Sequence, residues 1–377
     1  MDIKDRYLTT HIKDFLANRM VFIGGPRQVG KTTLGLSFLQ PPNRHNSAYL
    51  NWDDLHSRDL IKKGELPNSD IILLDEIHKF KQWRSLVKGF YDKRKEVQKF
   101  LVTGSARLDY YRRGGDSLLG RYRYLRLHPF TVEELKLCSN NDLQQLLSYG
   151  GFPEPFMMAS DRFIRLWHKE RVYRIINDDI RDLENLKDLS SLELLADALP
   201  DKVGSPLSIN ALAGDLSVNF RTVESWIRVL ERLYFCYRIS PYGAPKIRAV
   251  KKAKKLYLWD WSQVQEAGPR FENMVAGHLL KYCHALEDID GQNMELRFLR
   301  DKDGREVDFV VLKNKKAVFA VECKTGEQAL SKHINYFKTK ASINTFYQVH
   351  LGDKDYLKES GVRVMPFLRF CNEVLKI

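Results

Sequence analysis

The most specific pattern in the N-terminal part of this chain is MVFIGGPRQVGKTTL, residues 20–34. It begins with an apolar run that is short enough for a buried strand. Gly25, Gly30, Lys31 and Thr32 then fit the Walker A pattern G-x-x-x-x-G-K-[ST], and the residues that follow have helical character. A strand, a glycine loop and a helix in this order predict a phosphate-binding loop.

The chemistry of this loop follows from its residue types. Glycines let backbone N–H groups converge on phosphate oxygens, and the positive N-terminus of a helix favours an anion. We expect Lys31 to reach the β- and γ-phosphates and the Thr32 hydroxyl to bind Mg²⁺. The residues predicted to line the nucleotide are Gly25, Pro26, Arg27, Gln28, Val29, Gly30, Lys31, Thr32 and Thr33.

A second apolar strand, IILL at 71–74, is followed directly by Asp75 and Glu76. Apolar residues on both faces suit a strand buried in a parallel sheet. An acidic pair at the end of such a strand, downstream of a Walker A loop, is a Walker B signature. We expect Asp75 to lie beside the Mg²⁺ ion and Glu76 to activate the attacking water as a general base.

A third strand at 100–102 ends in Thr103, Gly104 and Ser105. A polar side chain there is placed to sense the γ-phosphate and to align the water, and Thr103 and Ser105 both stay candidates. A plain Gly-Ser turn is the alternative. Apolar residues at helical spacing between 83 and 91 predict a crossover helix. The pattern predicts a doubly wound α/β domain.

Arginines are crowded between residues 107 and 126. An arginine that reaches the γ-phosphate of a neighbouring subunit can speed hydrolysis by ~10³–10⁵. Arg121, which follows a Leu-Leu-Gly turn, is the first candidate for this role, and Arg107 is the second. A solvated basic face is the alternative interpretation.

The strings GGPRQVGKTTL, IILLDEIHK, LVTGSAR, LLGRYRYLRLHPFTVEEL and GGFPEP resemble archaeal and bacterial AAA-type ATPases that carry a C-terminal domain of long-unknown function. The resemblance covers essentially the whole chain and is specific in the first 155 residues. It implies a P-loop sheet of the ASCE type and ATP as the nucleotide, without a settled biological role. Because Arg121 is followed here by Tyr-Arg-Tyr, the arginine finger stays open among several nearby arginines.

The middle of the chain has helical periodicity over 161–200 and then two short apolar helix patterns from Ser208 onward, separated by a turn near 217–219. This spacing predicts a helix-turn-helix. Strands at 234–239 and 256–258 flank a basic hairpin, so we expect a winged helix, which the resemblance also implies. The residues predicted to contact DNA, mostly through phosphates, are Arg221, Arg228, Lys246, Arg248, Lys251, Lys252, Lys254 and Lys255. A rigid spacer or a protein-docking module is the alternative.

A carboxylate pattern marks the C-terminal part. Asp308 lies in a strand. Glu322 and Lys324 are two residues apart in the next strand, so the alternation of side chains places them on the same face. With Glu272 on an upstream helix, this pattern looks like the PD-(D/E)xK nuclease-like fold. That resemblance implies that Asp308 and Glu322 hold Mg²⁺, that Lys324 polarises water or stabilises phosphate charge, and that Glu272 supports the metal. A degenerate fold, with Glu322 and Lys324 as a salt-bridged pair, is the alternative.

Composition narrows the remaining classes of protein. Hydrophobic residues make up 44% of the 377 residues, which is enough for several buried cores. The net charge of +13 favours polyanionic partners such as DNA. The longest apolar runs have four or five residues, whereas a membrane span needs ~20. The five cysteines are scattered without metal or disulfide spacing, which fits a reducing cytoplasmic setting.

The sequence thus predicts an α/β protein with a P-loop NTPase parallel sheet at 1–155, a helical linker at 156–204, a winged-helix-like domain at 205–262 and a nuclease-like α/β domain at 263–377. The leading hypothesis is a Mg²⁺-dependent ATPase with ATP as its nucleotide. It forms a homo-oligomer, a hexameric ring being one arrangement, and couples ATP to DNA binding. A nucleotide-dependent switch or scaffold for a protein partner and an ATP-gated nuclease are the alternatives.

Overall fold

The computed structural model describes residues 5–104, 118–180, 188–243, 254–341, 343–357 and 361–377, the side chains of 178–180 excepted. The chain divides into two compact units, Met1–His128 and Pro129–Ile377. Within the described ranges, no helix combines the length and the apolar character that crossing a membrane requires.

The first unit is built on a five-stranded sheet. Its strands are Met20–Gly24 (β1), Tyr49–Asn51 (β2), Ile71–Asp75 (β3), Lys99–Thr103 (β4) and Tyr122–Arg126 (β5). All neighbouring pairs are parallel, in the order β2-β3-β4-β1-β5. The parallel α/β sheet predicted from the sequence is therefore confirmed, and β4 lies between the Walker A and Walker B strands.

The apolar runs in the sequence form the buried strands of this sheet. Every residue of β1 is buried, and so is every residue of β3 after Ile71. The described helices of this unit are Thr9–Leu16 (α1), Lys31–Leu36 (α2), Leu55–Lys63 (α3) and Trp83–Arg94 (α4), with a short 3-10 turn at Ile77–Lys79. Since β1, β3 and β4 are parallel, their carboxyl ends meet at one edge of the sheet, where α/β proteins bind ligands.

The second unit begins with a helical region. Its described helices are Val132–Leu135 (α5), Asn140–Tyr149 (α6), Pro153–Met158 (α7), Asp161–Arg174 (α8), Leu189–Ala198 (α9), Ile209–Asp215 (α10), Phe220–Arg232 (α11), Ala267–Asp290 (α12), Lys332–Lys340 (α13) and Phe367–Val374 (α14). A π-helical segment at Ile175–Ile180 continues α8. Side-chain caps start both helices of the predicted helix-turn-helix, since Ser208 accepts from the Ala211 N–H and Asn219 from the Arg221 N–H.

An eight-stranded mixed sheet forms the remainder of the second unit. Its strands are Cys236–Pro241 (β6), Lys255–Leu258 (β7), Met294–Arg300 (β8), Glu306–Lys313 (β9), Lys316–Lys324 (β10), Phe346–His350 (β11), Tyr356–Leu357 (β12) and Val362–Pro366 (β13). Their order is β12-β13-β11-β10-β9-β8-β6-β7. The hairpin strands β6 and β7 are antiparallel to each other, and β6 also pairs with β8.

These boundaries differ from the expected domains in two places. The first unit ends at His128 rather than at 155, since the segment after Pro129 packs within the second unit. Phe130, for example, donates its backbone N–H to the Gly151 carbonyl at 2.6 Å. In addition, the strands expected to complete a separate winged helix share one sheet with the C-terminal strands.

Candidate functional site

The predicted phosphate loop leaves β1 in a conformation that two glycines make possible. Gly25 has φ 137° and Gly30 has φ 96°, both in a region that favours glycine. A Cβ atom on Gly25 would lie 2.3 Å from the Leu127 carbonyl oxygen, so a larger residue does not fit there. Gly30 is the N-cap of α2. The loop therefore ends where α2 begins, as the sequence predicted.

Lys31 lies over this loop and not in solvent. Its side-chain Nζ donates to the carbonyl oxygens of Gly25 at 3.0 Å and Pro26 at 2.7 Å, and the residue is only 7% exposed. The ammonium is thus held within the curve of the loop. Phosphate oxygens are stronger acceptors for an ammonium than neutral carbonyls are.

Arg6, which was not predicted as a site residue, contacts the same loop. Its guanidinium donates to the carbonyl oxygens of Val29 at 2.8 Å and His128 at 2.6 Å. Arg6 is buried. It lies upstream of the Walker motif in a segment without a recognisable pattern, so no signal in the single sequence identifies it.

Asp75 is the centre of the polar network at the edge of the sheet. Its Oδ2 accepts hydrogen bonds from Thr32 Oγ1 at 2.9 Å and from the Tyr49 hydroxyl at 3.0 Å. Its Oδ1 accepts from Thr103 Oγ1 at 2.5 Å. The structure therefore brings together Thr32, Asp75 and Thr103, which the sequence assigned to one site. Tyr49 was missed, because the adjacency of β2 and β3 is not visible in the sequence.

The donor set at this edge fits the Mg²⁺ of a bound nucleotide. A carboxylate and a hydroxyl, Asp75 Oδ2 and Thr32 Oγ1, lie 2.9 Å apart beside the phosphate loop. Oxygen donors of these two types are those that Mg²⁺ prefers in phosphate-binding sites. Burial, together with the charge of Asp75 and the hydrogen bond to it, raises the pKa of Tyr49, which keeps its hydroxyl available as a donor.

Glu76 occupies an unusual backbone conformation. Its φ of 55° lies in the left-handed region that non-glycine residues rarely adopt. Its N–H donates to the Thr103 carbonyl at 3.0 Å. Burial raises the pKa of the Glu76 carboxyl, with Lys31 opposing and Asp75 reinforcing the shift. A raised pKa makes a carboxylate a better proton acceptor, as a general base requires.

His78 contacts the side chain of Glu76. The His78 Nε2 lies 3.4 Å from a Glu76 carboxylate oxygen, and His78 is buried. This histidine was not predicted as a site residue, although it follows the Walker B pair by only two positions. A buried imidazole beside the predicted base is the type of neighbour that holds a carboxylate in one orientation.

The described residues include Thr103, a candidate γ-phosphate sensor, and Arg121, a candidate arginine finger. Thr103 is fully buried and its hydroxyl points to Asp75, so within this chain it positions the aspartate. Arg121 Nε donates to Asp92 Oδ1 at 2.8 Å in the same chain. Ser105 and Arg107 lie outside the described residues, and both stay predictions.

A second polar cluster lies in the C-terminal sheet, and it contains the four residues predicted there. The Asp308 carboxylate accepts the Cys323 N–H at 2.8 Å, which ties β9 to β10. Lys324 Nζ donates to Glu322 Oε1 at 2.9 Å. Glu272 lies in the second turn of α12, the helix upstream of these strands.

Lys255, which was predicted to contact DNA, also belongs to this cluster and is fully buried. Its Nζ lies 3.0 Å from Glu272 Oε1 and 3.6 Å from Asp308 Oδ1, and it forms a short ion pair with Glu306. Burial by itself would lower the pKa of Lys255, but the charges of the three carboxylates outweigh it and raise the pKa. The prediction that Lys255 contacts DNA is therefore wrong, because its ammonium is enclosed by carboxylates.

The carboxylates respond to the same crowding. Burial and the charge of Asp308 raise the pKa of Glu272 to about 7 and that of Glu322 to about 7. Glu322 is buried, and its Oε2 atom has no hydrogen-bond partner among the described residues. Glu306 and Tyr257 also belong to this cluster, since Tyr257 donates its hydroxyl to Glu272 at 2.7 Å. Period-two alternation with Asp308 and Lys255 is the signal that predicts their shared face.

The Mg²⁺ implied for Asp308 and Glu322 does not fit this arrangement. Among the described residues, no three or more His, Cys, Asp or Glu side chains are grouped so as to hold a metal ion. An ammonium lies instead between Glu272, Glu306 and Asp308. We therefore assign no metal-dependent step to this cluster.

The predicted DNA-binding helix, α11, has a charged exposed face. Arg221 and Arg228 are exposed, and Arg228 Nε lies 3.8 Å from Glu224. In addition, ion pairs link α11 to β6, because Arg238 pairs with Glu224 and Glu231, each at 2.8 Å. Lys246, Arg248, Lys251 and Lys252 lie outside the described residues, whereas Lys254 is described and partly exposed.

Comparison with known proteins finds family models that match three segments of the chain. Residues 17–136 match the family model of an AAA domain. The N-terminal unit is similar to an AAA-type ATPase. Beyond this AAA-type part, residues 140–267 and 267–370 match two models, each described as a domain of unknown function (DUF8612 and DUF4143).

Curated relatives are similar over most of the chain but uncharacterized. MJ1637 of Methanocaldococcus jannaschii is 23% identical over 97% of this chain and 86% of its own length. Rv2008c of Mycobacterium tuberculosis is 24% identical over 64% of this chain, which spans 54% of that protein. Their names state no activity.

Solved structures also align with the chain. The Aeropyrum pernix Orc1 protein in complex with DNA is 13% identical, covers 72% of this chain and 93% of its own, and has a TM-score of 0.35. The Thermotoga maritima RuvB Holliday junction branch migration motor is 22% identical, with coverages of 58% and 82% and a TM-score of 0.25. With TM-scores this low, the alignments establish no common architecture for the whole chain.

Proposed function

We propose that this protein is a Mg²⁺-dependent ATPase that couples ATP binding and hydrolysis to DNA binding. One observation carries the ATPase part. The Thr32 hydroxyl and the Asp75 carboxylate, from two motifs 43 residues apart in sequence, lie 2.9 Å apart beside the loop that holds Lys31. This juxtaposition supports a site for a metal-bound triphosphate.

The residues then divide the chemical work among them. Thr32 and Asp75 would hold the Mg²⁺ of the nucleotide, which neutralises charge on phosphate oxygens. Lys31 exchanges its loop carbonyls for the β- and γ-phosphates. Glu76 accepts a proton from the attacking water, and its raised pKa suits that role. Thr103 and Tyr49 orient Asp75.

We further propose that the active form is a homo-oligomer. The predicted finger, Arg121 or Arg107, would complete the site of a neighbouring subunit. Arg121 is available for this only if it exchanges its partner, because Asp92 holds it within the chain at 2.8 Å. An Asp92→Asn variant, in which Arg121 is released, is expected to hydrolyse ATP faster, whereas Arg121→Ala is expected to be slower.

The DNA part of the proposal is supported by charge. The chain carries a net charge of +13, Arg221 and Arg228 are exposed on α11, and the segment after β6 is basic. Such residues bind phosphates without reading sequence. Without Lys255, the residues proposed to contact DNA are the other lysines and arginines of the predicted set.

Hydrolysis is tested with Glu76→Gln. The variant is expected to bind ATP normally and to turn over about 10²- to 10⁴-fold more slowly, the usual contribution of a general base. Glu96→Gln, at a position with an 86% exposed side chain, is the matched control. Turnover by Glu76→Gln at the wild-type rate would remove Glu76 as the base.

Coupling to DNA is tested by turnover and by binding. Single-stranded, duplex and branched DNA are each added at saturation, and at least one is expected to change the ATPase rate. A Lys251→Glu/Lys252→Glu/Lys254→Glu variant is expected to bind DNA more weakly and with a shallower salt dependence. Lys63→Glu/Lys93→Glu/Lys95→Glu, at exposed positions of the first unit, is the control with the same change in charge. Unchanged turnover with all three DNAs would contradict the coupling.

A further inference from the structure

The backbone of Glu76 is fixed, whereas its carboxylate is partly exposed to solvent. Its φ of 55° lies in the left-handed region, and its N–H donates to the Thr103 carbonyl at 3.0 Å. The side chain is 23% exposed, so burial alone does not hold the carboxylate in one orientation. A general base has to lie within hydrogen-bond reach of the water that it activates. The carboxylate therefore requires a neighbour that orients it.

His78 is the neighbour that meets this requirement. Its Nε2 lies 3.4 Å from Glu76 Oε2, and within the described part of the chain no other basic side chain is ion-paired with that carboxylate. The imidazole itself is only 1% exposed. An enclosed ring cannot follow the carboxylate into solvent, so His78 is the rigid member of the pair.

The 3-10 turn that follows the Walker B pair is fastened to the segment after β2. The Trp52 N–H donates to the Asp75 carbonyl at 2.9 Å, and the rings of Trp52 and Phe80 are stacked with their centroids 4.9 Å apart. Lys79 Nζ lies 2.5 Å from Asp53 Oδ2. These contacts hold the chain both before and after the imidazole, so the fold sets the position of the ring relative to the sheet.

We propose that His78 is a positioning residue for ATP hydrolysis. Its Nε2 carries the proton that faces Glu76 and holds the carboxylate toward the attacking water, without itself touching the nucleotide. This role rests on the proposed ATPase function, since His78 orients the group proposed as the base. A misplacement of about 1 Å can lower a rate by roughly 10²-fold, so a fixed neighbour of this kind contributes directly to turnover.

The contact itself is tested without nucleotide, by nuclear magnetic resonance of protein labelled with ¹⁵N-histidine. The ring signals of His78 are identified by their loss in His78→Gln. Glu76→Gln is expected to shift these signals, because a neutral amide replaces the carboxylate beside Nε2. Glu96→Gln, at an exposed position, is the control and is expected to leave them in place. Signals of His78 that do not move in Glu76→Gln would overturn the proposal.

Turnover then separates positioning from nucleotide binding. His78→Leu keeps a similar volume and removes the donor, so it is expected to lower kcat roughly 10- to 100-fold, while the Kd for ATP with Mg²⁺ stays at the wild-type value. His78→Gln places an amide N–H near the position of Nε2 and is expected to recover most of this loss. His56→Leu, at an exposed position of α3, is the matched control and is expected to change neither quantity.

A double variant shows whether His78 acts through Glu76. Glu76→Gln/His78→Leu is expected to hydrolyse ATP no more slowly than Glu76→Gln alone, because the effects of residues that act as one unit are not additive. A further loss of about 10-fold or more would overturn the proposal, and so would a wild-type kcat in a folded His78→Leu variant. A wild-type protein that does not hydrolyse ATP would instead contradict the proposed function. The ring signals of His78 test the contact independently of turnover and of the folding of His78→Leu.

Discussion

Replacement of Thr103 by valine isolates the hydrogen bond that holds the Walker B aspartate. Asp75 and Thr103 are register partners on neighbouring parallel strands, so the sheet itself places the hydroxyl against the carboxylate at 2.5 Å. Valine has nearly the shape of threonine and lacks the donor. Thr103 is fully buried, which means that water does not replace the lost bond.

The expected magnitude follows from the charge on the acceptor. A hydrogen bond to a charged group contributes about 1.5–3 kcal/mol. Thr103→Val is expected to lower the free energy of local opening of β3 and β4 by this amount. In hydrogen–deuterium exchange mass spectrometry without nucleotide, amides of these strands should then exchange about 10- to 150-fold faster. Mg²⁺-dependent ATP binding should weaken, because Asp75 is less well oriented.

Thr103→Ser is the matched variant, since it keeps the hydroxyl and loses one methyl group. The loss of a buried methyl costs about 1 kcal/mol, so exchange should accelerate only about fivefold. Equal exchange in wild type and Thr103→Val would refute the reasoning. A serine variant as fast as the valine variant would show that packing, and not the hydrogen bond, is responsible.

Three further predictions concern other buried polar groups. Arg6→Met removes the hydrogen bonds to the carbonyls of Val29 and His128 and is expected to cost about 3 kcal/mol and to weaken ATP binding. Arg6→Lys should be intermediate, by calorimetry and thermal unfolding. Arg238→Met leaves two glutamates facing each other and is expected to destabilise by roughly 3 kcal/mol, most of which returns when Glu224 and Glu231 are also changed to glutamine. Burial lowers the pKa of His278 to about 3. As the pH falls, His278 is therefore protonated in the unfolded chain before it is protonated in the folded chain. Stability is lost as pH falls below the unfolded pKa of about 6.5. By pH 5 that loss of stability is about 2 kcal/mol. Urea unfolding at pH 5 and pH 7.5 should show a smaller loss for His278→Gln than for wild type. An identical pH dependence in the two proteins would contradict the lowered pKa of His278.

The nucleotide site was predictable because its determinants are local. Gly25, Gly30 and Lys31 lie within one short turn, and their spacing alone requires a strand before and a helix after it. Asp75 and Thr103 each follow an apolar run. In a parallel sheet the carboxyl ends of such runs meet at one edge, so the contact between them could be expected.

Arg6 and Tyr49 could not be predicted in the same way. Arg6 reaches the loop from a segment without periodicity, and its bond to Val29 depends on tertiary packing. Tyr49 donates to Asp75 only because β2 is the neighbour of β3. Strand order in a sheet depends on long-range pairing that a single sequence does not display.

Lys255 shows how a local pattern misled the prediction. It follows Lys251, Lys252 and Lys254, so its neighbours made it look like part of a basic surface. The alternation in Lys255-Leu256-Tyr257-Leu258 was the better guide, because it makes the lysine part of a strand. All four residues of that strand are buried, and burial of a lysine requires the carboxylates that surround it.

Calorimetric titration of wild type and Lys31→Ala with ATP in the presence of Mg²⁺ shows whether the loop at Lys31 binds the nucleotide. We expect one saturable site per chain in the wild type and its loss in Lys31→Ala, with both proteins equally folded. A wild-type protein that does not bind ATP, or a Lys31→Ala variant that binds it equally well, would contradict the assignment of this loop and of the Asp75 site beside it.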